Sequence, residues 1–195
     1  MDLITTVLVG VLQVLIYALV PFAWWLSAAR PDGTLPRWLG FRAGRDGTDP
    51  LVLGATIAAA LGFFGGALLS GAGTTTAGGV SYFGVLAVAV VAIVQTALSE
   101  ELFFRGFLLR WLGERRPGPI VANLLQALAC GLLRMAGQWL FVDRALAPCL
   151  AAFALGVGPA LMVGWVRQRT GSLWLPWAAH GSGNLVAGLI AMATR

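Results

Sequence analysis

The sequence predicts an all-α, polytopic membrane protein with about six transmembrane helices, and three observations support this fold class. First, 58% of the 195 residues are hydrophobic and 11% are charged, whereas a soluble domain usually carries about a quarter charged residues. A chain of this size cannot bury so much apolar surface in its own interior. Second, apolar runs of about 20 residues recur, the length that crosses a ~30 Å hydrocarbon core. Third, arginines cluster between the runs.

The six apolar runs follow one another with short connections, and the chain shows no internal repeat. This organisation predicts a single transmembrane domain over 1–195. One connection, "RPDGTLPRWLGFRAGRDGTDP", is of appreciable size. The runs cover roughly 3–28, 50–70, 81–109, 119–140, 147–166 and 172–193.

The arginines predict the orientation of the bundle. Nine arginines lie in the segments after the first, third and fifth runs, against two in the alternate segments. Positive-inside counting therefore puts both termini outside. Arginine without lysine, together with abundant Ala and Gly, suggests a GC-rich bacterial gene, so we expect the bacterial cytoplasmic (inner) membrane. We expect no nucleic-acid partner, since such binders gather their positive charge on one solvated face.

Two adjacent carboxylates and an arginine interrupt the third run, in "QTALSEELFFRGFLLRWL". On a helix Glu101 and Arg105 share a face and can form an ion pair, while Glu100 points about 100° away. Glu100 then needs another partner or a proton. An ionised side chain at the centre of a bilayer costs roughly 2.5–3.5 kcal/mol on insertion scales, so a functional site is indicated.

An alternative is that the third helix ends near Ala97 and that "SEELFFRG" is a solvated interfacial segment. Against this, the sequence stays apolar as far as Arg110. If Arg110 marks the inner surface, Glu100 lies ~15 Å inside it at a 1.5 Å rise per residue.

The sixth run carries a second polar pair, His180 and Asn184, which share a helical face. Counted from Ser172, their depths of ~12 and ~18 Å bracket that of Glu100. Imidazole and amide N–H groups are donors suited to a developing oxyanion, and a carboxylate can take a proton from water. A lone histidine in an apolar helix can also be a hydrogen-bonded structural residue.

These residues resemble the CPBP intramembrane proteases, which include the CAAX prenyl endopeptidases and bacteriocin-processing, Abi-like proteins. "EELFFR" looks like the first motif of that family and "HGSGN" like its last, over a core of about residues 80–190. The resemblance implies that Glu100 is the base that activates water, supported by Glu101 and Arg105. It also implies that His180 and Asn184 donate to the oxyanion.

The second motif of the family, Phe-x-x-x-His, is degenerate in this chain. The matching stretch "ALACGLLRMAG" has Cys130 at the Phe position and Arg134 at the His position. Arg134 could hold Glu100 or the water, so that the site works with one base. It could instead leave the site catalytically silent, or it could simply extend its guanidinium to water near the end of its helix. A guanidinium cannot shuttle a proton.

The resemblance implies a glutamate-dependent intramembrane endopeptidase that cleaves a hydrophobic or lipidated C-terminal segment of a membrane-anchored protein. We expect its cleft to open toward the cytoplasmic half of the bilayer, and a myxosortase-like sorting role is one form of the activity. The alternatives are a catalytically silent scaffold of the same fold and a small transporter or channel component, although the inverted repeats of a transporter are not visible. One histidine and two adjacent glutamates make a poor zinc ligand set, so we expect no metal and no other cofactor.

Overall fold

The computed structural model describes residues 2–29, 33–69, 81–115 and 118–194. Helices make up most of these residues, and they contain no strand. The predictions that concern Arg30, Arg116, Arg195 and the 70–79 connection lie outside the described ranges. The helices are α1 (Leu3–Trp24, continued by a π-helical segment Trp25–Ala29), α2 (Leu35–Leu39), α3 (Pro50–Leu69), α4 (Tyr82–Gly113), α5 (Pro119–Phe141), α6 (Leu146–Thr170) and α7 (Trp174–Ala193).

The predicted all-α membrane bundle is confirmed. Among the described residues, α1, α3, α4, α5 and α6 are long and apolar enough to cross a membrane. Helix α7 has 20 residues and carries His180, Asn184 and three glycines. It lies against α3 and α4, and His180 is completely buried between them, as an ionisable group within a membrane span requires.

Helix α4 does not end near Ala97. It runs without a break to Gly113, so the interfacial alternative is wrong. Two π-helical segments, Val90–Leu98 and Leu102–Leu108, flank the short α-helical stretch that holds the carboxylates. Wider π turns are frequent at functional sites, because they re-aim side chains without ending the helix.

Small residues let the helices approach closely. Gly62 of α3 faces Pro159 of α6, and one turn later Gly66 faces Leu155. A Cβ atom at Gly62 would collide with the proline ring. The Gly-x-x-x-Gly spacing therefore marks a true helix contact, as small residues commonly do in membranes. Pro159 itself lies inside an unbroken α6.

Buried amides hold α5 against α6. The side chain of Asn123 donates to the carbonyl oxygen of Leu161 at 3.0 Å, and that of Gln126 donates to the carbonyl oxygen of Ala160 at 3.0 Å. Both amides lie against Gly164, where any side chain would clash. These bonds are favoured in a membrane because no water competes for the donors.

The short helix α2 closes the arginine-rich end of the bundle. Trp38 and Leu39 are buried there with Leu102, Phe107 and Leu173. Two arginines fasten this helix: Arg110 donates to the carbonyl oxygen of Trp38 at 3.2 Å, and Arg167 donates to that of Leu39 at 3.2 Å. Two of the arginines that predicted the orientation thus lie in the last turns of α4 and α6, and they satisfy carbonyl groups that the end of a helix leaves unpaired.

Candidate active site

The buried ion pair predicted from the i,i+4 spacing on α4 is present. The Nη1 atom of Arg105 lies 2.9 Å from Oε1 of Glu101, and both side chains are completely buried. Because a buried charge without a counter-charge strongly destabilises a protein, each of these two groups stabilises the other. Leu102, Phe104 and Phe107 are buried alongside them.

Helix α7 brings His180 to the same carboxylate. The Nδ1 atom of His180 lies 2.9 Å from Oε1 of Glu101. The imidazole is completely buried. Glu101 and His180, which are 79 positions apart in sequence, are therefore in direct contact.

Arg134 of α5 contacts both Glu100 of α4 and His180 of α7. Its Nη2 atom lies 3.1 Å from Oε2 of Glu100 and 3.1 Å from Nε2 of His180. The structure therefore agrees with the sequence hypothesis in which Arg134 donates to Glu100, and it differs from the one in which the guanidinium extends away to water. We call Glu100, Glu101, Arg105, Arg134 and His180 the polar cluster.

Two features that the sequence did not reveal shape the cluster. The ring of Phe63 on α3 stacks on His180, with centroids 3.8 Å apart and planes 12° from parallel. Helix α7 can come this close because Gly183 lies against the α3 backbone at Ala60. Similarly, Gly156 on α6 leaves room for the aliphatic stem of Arg134. The glycines were visible as letters, but their facing partners depend on tertiary packing.

Two further residues named from the sequence have different surroundings. The Sγ atom of Cys130 lies 3.9 Å from Oε2 of Glu100, so the residue that replaces the family's Phe borders the cluster. Asn184 makes no hydrogen bond within the described part of the chain, and its Oδ1 atom is buried without a partner. The structure thus does not join Asn184 to the polar cluster.

A cavity of about 720 Å³ leads to the cluster, and Glu100 and Arg134 line it. Most of its wall is apolar, and it extends to the C-terminal ends of α3 and α5 and the N-terminal end of α6. Its remaining lining residues include Tyr17, Phe63, Leu69, Thr96, Leu133, Gln138, Phe141, Val142, Pro148 and Leu155.

The direction of this cavity differs from the expectation from sequence. We expected a cleft toward the arginine-rich, cytoplasmic end, but the cavity extends to the arginine-poor end, beside Leu69, Val142 and Pro148. The physical reason is α2, whose Trp38 and Leu39 pack over the arginine-rich end. The sequence predicts only a loop in this segment, whereas Leu35–Leu39 form a helix.

The described residues contain no group of three or more His, Cys, Asp or Glu side chains placed to hold a metal ion. At the cavity, Glu100 and Arg134 place a carboxylate beside a guanidinium. A carboxylate can take a proton from water, and a guanidinium can stabilise a developing negative charge. Together they suit hydrolysis of a carbonyl compound.

The fold is a multi-pass helical bundle with a Glu–Arg–His cluster buried among its helices, and comparison with known families gives the class. Residues 82–186 match the family model described as type II CAAX prenyl endopeptidase Rce1-like. The match covers more than half of the chain and includes every residue of the polar cluster, so the chain belongs to this family of membrane proteases. No curated protein and no solved structure matches the chain.

Proposed function

We propose that the protein is an active intramembrane endopeptidase that uses Glu100 to activate water. The observation that carries this proposal is the meeting of Glu100 and Arg134 at the inner end of a largely apolar cavity. A carboxylate in such a place is energetically costly, and ionisable residues within membrane spans usually mark functional sites. Membership of a protease family supports the same reading.

In the proposed reaction, Glu100 takes a proton from a water molecule whose oxygen attacks the scissile carbonyl carbon. The carbonyl oxygen becomes an oxyanion, and N–H donors at the inner end of the cavity stabilise it. When the intermediate collapses, the C–N bond breaks and Glu100 returns the proton to the leaving nitrogen. The products are a carboxylic acid and an amine. Glu101 and Arg105 are completely buried and so do not contact the substrate. Their proposed role is to support the site structurally.

The proposed substrate is a hydrophobic or lipidated C-terminal segment of a membrane-anchored protein. The cavity volume of about 720 Å³ falls within the ~300–1,000 Å³ typical of ligand pockets. Side chains such as Leu133, Phe141 and Leu155 give it an apolar wall. An apolar segment can therefore reach Glu100 without leaving a lipid-like environment.

We further propose that substrates reach the site from the arginine-poor end. If the arginine-rich end faces the cytoplasm, this is the outer side of a bacterial cytoplasmic membrane, and both termini lie there. Removal of a C-terminal anchor on that side would suit a sorting role of the myxosortase-like kind. The seal at Trp38 and Leu39 supports this direction of access.

The test uses purified protein in liposomes with reporter proteins, each a folded domain followed by one C-terminal apolar span. One reporter places its folded domain on the arginine-poor side and the other places it on the arginine-rich side. We expect cleavage of the first only, detected by mass spectrometry of the products. Cleavage of the second only would refute the proposed direction of access while leaving the protease activity intact.

Glu100→Gln should abolish cleavage because the amide cannot accept the proton. The matched control is Glu114→Gln, which alters an exposed carboxylate paired with Arg110 at 2.8 Å and should cleave at the normal rate. Full activity of Glu100→Gln would refute the catalytic assignment. Binding of the reporter without cleavage by the wild-type protein would support the silent scaffold, in which the Arg134–Glu100 ion pair at 3.1 Å is a structural contact only.

A further inference from the structure

We propose that Arg134, and not His180, supplies the N–H donors that stabilise the oxyanion, and that His180 is a neutral hydrogen-bond acceptor that positions Arg134. This reverses the role that the family resemblance implies for the histidine. The catalytic role of Arg134 rests on the proposed protease function, whereas the direction of the hydrogen bonds is a property of the folded chain itself.

The Nδ1 atom of His180 and the guanidinium of Arg105 share one hydrogen-bond partner, Oε1 of Glu101. Oε1 of Glu101 accepts a hydrogen bond from Arg105, a group that only donates and stays charged in proteins. A carboxylate beside such a cation is ionised and can only accept. The Nδ1 atom, 2.9 Å from the same oxygen, must therefore carry a proton and donate it.

The Nε2 atom of the same ring faces Arg134. It lies 3.1 Å from Nη2 of Arg134, and the guanidinium has no lone pair to offer. Nε2 must therefore be the acceptor. With a proton on Nδ1 and none on Nε2, His180 is neutral and cannot donate from Nε2 to an oxyanion.

The surroundings of the ring leave no other arrangement. Oε2 of Glu100 lies 3.9 Å from Nε2, too far for a hydrogen bond, and it already accepts from Arg134. Phe63 covers one face of the imidazole. His180 is completely buried and does not line the cavity, whereas Glu100 and Arg134 do.

Arg134 has donors to spare. A guanidinium carries five N–H groups, and the two bonds to Glu100 and His180 leave from Nη2 alone. The N–H groups of Nη1 make neither of these two bonds and are the donors left for an oxyanion, whereas Nε is buried. The two bonds of Nη2 hold the guanidinium in place. A positive charge fixed in this way suits an oxyanion, because the guanidinium need not reorganise during the reaction.

The direct test is ¹⁵N NMR of the 195-residue chain in nanodiscs after labelling with ¹⁵N-histidine. The chain contains one histidine, so both ring signals come from His180 without further assignment of the protein. We expect a protonated Nδ1 and an unprotonated Nε2, distinguished by their couplings to the ring carbon-bound protons. A protonated Nε2 in the wild-type protein would overturn the proposal.

Kinetics on a cleaved reporter test the catalytic half. Arg134→Met should lower kcat by about 10²- to 10³-fold, the usual effect of losing an oxyanion donor, with KM nearly unchanged. Arg134→Lys should retain part of the activity because it keeps a charged donor. Arg37→Met, which alters an exposed arginine on α2, is the control and should behave as wild type.

Arg134→His, which restores the residue typical of the family, separates the proposal from its rival. If Arg134 is the oxyanion donor, this variant should lose activity. If the arginine merely obstructs an ordinary site, the variant should exceed the wild type, and the proposal fails. A wild-type protein that cleaves no reporter but shows the expected ¹⁵N pattern would refute the protease function and the catalytic role of Arg134, while the hydrogen-bond order would stand.

Discussion

The carboxylate of Glu101 accepts from Arg105 and from His180 through a single oxygen, Oε1, with both distances at 2.9 Å. This shared oxygen joins α4 to α7 and sets the orientation of the imidazole. The cation Arg105, the anion Glu101 and the neutral ring of His180 thus hydrogen-bond to one another where all three side chains are buried. The stability of the bundle should depend strongly on this contact.

Glu101→Gln should destabilise the protein by about 3–5 kcal/mol, because it leaves the buried Arg105 without a counter-charge. Unfolding in detergent, followed by circular dichroism, measures the change. Glu114→Gln breaks an exposed pair and should cost at most about 1 kcal/mol. Equal losses in the two variants would contradict the account of Glu101.

Gly183→Ala should force α7 away from α3, since the added Cβ would meet the backbone at Ala60. We expect a loss of about 1–3 kcal/mol, as for other overpacked sites, and lower activity because His180 loses its stacking contact with Phe63. The control is Gly65→Ala on α3, where a Cβ meets nothing within 4 Å. It should be neutral or slightly stabilising, and a loss there as large as at Gly183 would contradict the packing argument.

Gly137→Leu should block the cavity without disturbing the backbone. Gly137 lines the cavity, and a Cβ there meets nothing within 4 Å. We expect reporter binding to weaken by about tenfold or more, equivalent to ~1.4 kcal/mol, while the unfolding midpoint changes little. The control is Gly158→Leu on α6, because a Cβ there also meets nothing within 4 Å but Gly158 does not line the cavity. Normal cleavage by the Gly137 variant would show that substrates use another route.

Cysteine labelling tests the orientation predicted from the arginines. Both native cysteines are buried, so they should give little background with a membrane-impermeant maleimide. In intact cells, Arg144→Cys should be labelled from outside, whereas Arg45→Cys should be labelled only after the membrane is opened. Both arginines are exposed. The reverse pattern would invert the topology and place the cavity mouth on the cytoplasmic side.

The sequence by itself determined the local features of this protein. Lipid requires backbone groups to bond within their own segment, so apolar runs became helices close to their predicted bounds. The i,i+4 spacing placed Arg105 beside Glu101, because a helix puts those positions on one face. The motifs around Glu100 and His180 were sufficient to indicate the family, since both are short and local.

Only the tertiary structure decided how those motifs meet. Whether Arg134 turns toward Glu100 or toward water depends on how closely α5 approaches α6, which Gly156 permits. The stacking of Phe63 on His180 depends on the contact between α3 and α7. The open end of the cavity depends on α2 packing across the opposite end. These outcomes are set by contacts between residues far apart in the chain, and helical periodicity carries no information about which faces of different helices come together.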